Sequence, residues 1–95
     1  MNLQGLSTIH ESTKITMIFI YPRPKAMKGE TLVIKDTKPD IDNLVKTVMD
    51  ALTGATIIND DNIITSINAT KYYGPRDYAG QTEITIETPY RGDNE

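Results

Sequence analysis

Lys38-Pro39-Asp40-Ile41-Asp42-Asn43-Leu44-Val45-Lys46-Thr47-Val48-Met49-Asp50-Ala51-Leu52, closing at Gly54, is the stretch whose reading decides the fold. From Ile41 the apolar residues fall at 41, 44, 45, 48, 49 and 52, the spacing of a single stripe along an amphipathic helix. Such a stripe needs a sheet or another helix to cover it. At about 100° per residue, Asp42, Lys46 and Asp50 stack along its edge, while Asp40 stands at the helix entrance beside Pro39. Two starts fit the pattern: Asp40 as N-cap with Asn43 at N3, or Thr37 as N-cap with Pro39 in the first turn and Asp40 at N3. Gly54 is expected just past the end, in the left-handed conformation that glycine adopts cheaply.

Working outward, residues 14–21 are β-branched and aromatic and predict a largely buried strand. Ile15, Met17 and Phe19 share one face, and Ile18 and Ile20 make the other apolar too. Pro22 ends it, and residues 23–29 form a basic loop punctuated by proline, followed by a short edge strand at 31–34. Beyond the helix, Asn59-Asp60-Asp61 is a second acidic knot ahead of a strand at 62–73. On that strand Ile63, Thr65, Ile67 and Ala69 are expected toward the core, with Ile64, Ser66, Asn68 and Thr70 opposite. Residues 74–80 are turn-rich, and a last strand at 81–88 carries Ile84 and Ile86; the two final strands are expected to pair as a hairpin. Residues 1–13 and 91–95 read as loosely ordered. The order predicts one domain over residues 1–95, an α+β layer in which one main amphipathic helix packs on a small sheet of about three to four strands.

Ninety-five residues bury only a thin core, so further burial by self-association is expected. With no Cys and only His10, a metal site would have to use oxygen ligands, which points to magnesium, manganese or calcium. No apolar run approaches the roughly 18 residues of a membrane span, and no basic-then-apolar leader opens the chain, so an intracellular protein is expected. Ten basic and thirteen acidic residues give a formal charge of −3, and six Asp against Lys38 and Lys46 lie between Asp36 and Asp61.

Each acidic feature has an ordinary reading. Asp40 and Asp42 suit a helix N-terminus, where capping and the macrodipole contribute about 0.3 to 2 kcal/mol. Lys46 suits an ion pair one turn away with Asp42 or Asp50, worth about 0.2 to 0.5 kcal/mol. Asn59-Asp60-Asp61 suits a turn. Together they describe something more specific: carboxylates at a helix entrance, another before the next strand, and a nearby ammonium. Hydrated magnesium is commonly held by one or two carboxylates plus substrate phosphate, so this set suits a phosphodiester substrate. The calcium loop of an EF-hand, the P-loop and the dinucleotide glycine pattern are all absent from the sequence.

At these residues the chain resembles the RusA-like Holliday junction resolvases of bacteria and their phages. The resemblance rests on Lys38-Pro39-Asp40-Ile41-Asp42-Asn43-Leu44 with Lys46, then Met49-Asp50-Ala51-Leu52, then Asn59-Asp60-Asp61 and a strand ending near Lys71, over residues 15–88. It implies a homodimeric endonuclease that uses magnesium, with manganese as substitute, to place paired symmetric nicks across a four-way DNA junction. It implies that Asp40, Asp42 and Asp61 are metal-binding catalytic carboxylates, that Lys46 is the catalytic lysine and that Asp60 is an accessory acid. Arg23, Lys25, Lys38 and Lys71 fall where the family tends to carry DNA-binding basic residues. A cytoplasmic protein, bacterial or phage-encoded, is implied as well. The family typically has an additional strand and basic segment ahead of its first matching strand, where this chain has thirteen residues. A shortened, non-catalytic relative that binds branched DNA or a protein partner is therefore the alternative expectation.

Overall fold

The structure, a computed structural model, describes residues 8–92. The apolar run after Ser12 forms β1 (Thr13–Tyr21). Then come β2 (Val33–Ile34), α1 (Ile41–Gly54), a single 3-10 turn (Asp61–Ile63), β3 (Ile64–Tyr73) and β4 (Gln81–Glu87). They make one four-stranded sheet in the order β2-β3-β1-β4. With one main helix beside it, this is the small α+β fold that the sequence predicts.

Strand β1 runs parallel to β3 and antiparallel to β4. Parallel neighbours cannot be joined by a tight turn, and here the connection is made by the basic loop, β2 and α1. The expected hairpin of the last two strands does not form, because β1 lies between them. The composition of β1 explains this. A strand apolar on both faces is most stable with a neighbour on each side, whereas β4, polar apart from Ile84 and Ile86, suits an edge.

The core is the face of β1 bearing Ile15, Met17 and Phe19, joined by Leu52 from α1 and Ile58 beyond it. Leu44, Val45, Val48 and Met49 pack against that cluster, so the helical stripe read from the sequence is the buried one. On β3 the parity of the expectation holds, since Ile67 and Ala69 stand opposite Ile15 and Met17. Burial does not follow it throughout: Ile67 is 43 % exposed. Strand β2 borders β3 only at Tyr72 and Tyr73, and among the described residues no strand covers the outer edge beside Ile67.

Two local expectations need correction. Gly54 is the last helical residue rather than the one past the end, the cap falls on Ala55, and the left-handed conformation is taken by Thr56 at φ 55°. Backbone bonds from Ile57 and Ile58 to the Leu52 carbonyl hold that turn. The segment before β1 is also less loose than expected, because Ile9 forms a parallel bridge with Ile58, donating to Ile57 O at 2.9 Å and accepting from Asn59 N at 3.0 Å. The rest of that expectation, at residues 1–7 and 93–95, lies outside the described residues.

Candidate functional site

The entrance to α1 is fastened to the C-terminal end of β3. Lys71 stands opposite Phe19, on the face that α1 covers. Its ammonium reaches from there to donate to the carbonyls of Thr37 at 2.5 Å and Pro39 at 2.6 Å. The Lys35 amide donates to Lys71 O at 3.0 Å. The Lys35 side chain, buried at the end of β2, donates to the Thr37 hydroxyl at 2.7 Å and to the Tyr73 phenol oxygen at 3.3 Å. Its ammonium also lies 4.7 Å from the centre of the Tyr73 ring and 5.3 Å from that of Tyr21, close enough for cation–π attraction. The hydrogen bond from Thr37, and after it the Lys35 ammonium, hold the Tyr73 phenol below its ordinary pKa.

This lead-in delivers Asp40. Its backbone is extended, at φ −69° and ψ 141°, and its carbonyl accepts from Leu44 N at 3.3 Å, which makes it the N-cap, the first of the two expected starts. Its carboxylate makes no capping bond. Of the two ordinary roles of Asp at this position, the capping bond is not made and only the charge at the helix N-terminus remains. Asp42, in the first turn, accepts from the Asn43 amide through Oδ1 at 2.9 Å. Lys46 is exposed and, among the described residues, pairs with neither Asp42 nor Asp50. The acidic knot divides in two: Asp60 caps the 3-10 turn by accepting from Asn62 N at 3.1 Å, whereas Asp61 begins that turn with an exposed side chain.

The four basic candidates fare differently. Lys25 and Lys38 are exposed and make no bond to the protein among the described residues. Lys71 is engaged as described. Arg23 is engaged more fully: Nε donates to Gly74 O at 2.9 Å, one terminal nitrogen to Lys28 O at 2.7 Å and the other to Thr31 O. The guanidinium thus ties the β1–β2 loop to the start of the β3–β4 loop. Gly29 makes this possible, since it lies at φ 117° and a Cβ there would sit 2.6 Å from the Arg23 guanidinium.

Sequence reasoning missed Lys35, Thr37 and Tyr73. No local signal marks them, because the Lys35–Tyr73 contact spans 38 positions and depends on β2 pairing with the end of β3.

A family model described as Endodeoxyribonuclease RusA matches residues 1–87. The chain belongs to the RusA endodeoxyribonuclease family. No curated protein matches it. The matched span includes the entrance of α1 with Asp40 and Asp42 and the acidic knot at Asp60 and Asp61. The RusA family is one of endonucleases that act on Holliday junctions, a branched form of DNA.

The donor chemistry suits a hard cation, since Asp40, Asp42 and Asp61 are exposed oxygen donors without a cationic partner among the described residues. Among the described residues, however, no three acidic or histidine side chains converge closely enough to hold a metal ion. A hydrated divalent cation would therefore have to be held here by fewer than three protein carboxylates, Asp40 and Asp42 at the helix entrance being the pair adjacent in sequence, with phosphate or water filling the remaining positions.

Proposed function

We propose that the chain is a magnesium-dependent endonuclease that resolves four-way DNA junctions by paired symmetric nicks, acting as a homodimer. The observation that carries the reading is the Asp40 carboxylate, which is left without a capping bond at an entrance fastened by Lys71. Asp40 and Asp42 would hold the ion together with a substrate phosphate, and Asp61, which does not converge on them in the unbound chain, would join as the third carboxylate once metal and DNA are bound. Bound magnesium supplies a water of lowered pKa and polarises a phosphoryl oxygen. The chain supplies the rest. Lys46, one turn beyond Asp42, offers an unpaired ammonium to the charge that develops on phosphorus oxygens. The first turn of α1 adds N–H groups that the Asp40 side chain does not take, at the positive end of the helix dipole.

The test is cleavage of a synthetic mobile four-way junction in magnesium, beside a linear duplex. Paired nicks in the junction alone are expected. They are lost in Asp42→Asn and Asp61→Asn, while junction binding and the thermal midpoint stay near their original values. A second reading, a non-catalytic relative that binds branched DNA, is favoured by the lack of three converging carboxylates. Binding without nicks would establish it in place of the first.

A further inference from the structure

Away from the acidic entrance, the β1–β2 and β3–β4 loops enclose a pocket of about 400 Å³. Its wall includes Arg23, Lys25, Met27, Lys28, Arg76 and Tyr78. Four of the ten basic residues of a net acidic chain therefore meet here. They are not equivalent. Arg23 is consumed by three carbonyls and acts as the frame that holds the two loops together. Arg76 is partly met by Glu30 at 3.5 Å. Lys25 and Lys28 are exposed and make no side-chain bond to the protein among the described residues, and Asp77 is the acidic residue on the wall. The apolar part of the wall is equally organised. Tyr78 donates to Gln81 Oε1 at 2.9 Å, and its ring lies so close to Gly74 that a Cβ there would be 2.7 Å from Cδ2. The pocket is thus preformed, with an apolar wall and unpaired cations at its rim, within the size range of small-ligand sites.

Its position matters as much as its lining. Strands β1 and β3 are parallel and end together at Tyr21 and Tyr73. The pocket is built from the loops that leave those ends, and the lead-in to Asp40 is fastened to the same end through Lys71 and Tyr73. We propose that this pocket receives one unstacked nucleotide of the DNA substrate, with its base against Met27 and Tyr78 and its phosphates on Lys25 and Lys28. The proposal rests on the nuclease reading for its substrate. Aromatic and apolar walls accept any base face, and a lysine pair takes adjacent phosphates, so the pocket selects DNA with an unpaired or splayed base over continuous duplex.

The test measures binding in EDTA, so that no strand is cut, to a four-way junction and to a linear duplex across a salt series. K25Q/K28Q is expected to lower the slope of log affinity against log salt by about 1.8 on the junction. Y78L is expected to weaken junction binding about 5-fold or more with the slope unchanged, and to leave duplex binding as it was. M27A provides the same readout without touching the Tyr78–Gly74 contact, and decides the matter if Y78L does not fold. An unchanged slope in the lysine variant, or equal losses on junction and duplex in M27A, overturns the proposal. Failure of the nuclease reading looks different: the unsubstituted chain then gives no magnesium-dependent nicks, whatever these variants do.

Discussion

Lys71 shows how a charge that looks suited to DNA can be used within the chain. Its two bonds to carbonyls fix the Thr37–Lys38 and Pro39–Asp40 peptide units, the second of which leads directly into Asp40. Lys71→Met leaves both carbonyls without that donor and is expected to cost about 1 to 3 kcal/mol, read as a lower urea midpoint at constant slope. Junction cleavage should fall further than the stability loss explains, because the carboxylate it positions is freed to move, and Lys71→Arg should recover part of both. Tyr73 offers a second test. Its phenol is held below the ordinary value of 10.0 by Thr37 and then by Lys35. A depressed acid favours the folded state in its ionised form. The contribution is therefore absent while Tyr73 is protonated, appears as pH rises through the lowered pKa and is full above about 10. Absorbance titration should show one of the five tyrosines ionising early, and Tyr73→Phe should remove that phase. An unaltered titration would mean that the Lys35–Thr37 contact does not act on the phenol.

At the scale of elements, α1 holds the fold and the site together. Leu52 is its buried residue, packed with Ile15, Met17, Phe19 and Ile58. Leu52→Ala is expected to cost about 2 to 5 kcal/mol, which in a domain of this size lowers the thermal midpoint by roughly 10 °C or more. A shift of only a degree or two would mean that the helix is not seated on β1. What was legible in the sequence follows from the same helix. The period of its stripe and the continuous apolar run of β1 are local patterns, so they could be read directly, and with them the acids at the helix entrance. Strand pairing is not local. Nothing in residues 62–88 states that β1 will separate β3 from β4, because that choice depends on the needs of a strand fifty positions earlier. The internal bonds of Lys35 and Lys71 were not legible for the same reason: each is a surface lysine by composition and becomes an internal tie only once β2 and β3 align.

For the molecule as a whole, the open question is what the sheet does at its β2 edge. Leu32, Val33 and Ile34 are consecutive, apolar and 50 %, 41 % and 59 % exposed, and β2 is an edge strand. An edge with apolar side chains and unpaired backbone groups invites another chain, and natural proteins usually guard such edges with charge or proline. A 95-residue domain with a thin core also gains from further burial. Both arguments support the proposed homodimer and predict a contact at β2. Light scattering at micromolar concentration should give twice the 10.6 kDa chain mass, and L32K/I34K should return it to the single mass with the thermal midpoint lowered. Paired nicking depends on two sites being held together, so the same variant should nick junctions on one strand without the matching cut. A single-chain mass for the unsubstituted protein would remove the homodimer from the proposed mechanism. A double mass unchanged by L32K/I34K would keep the homodimer and move its contact away from β2.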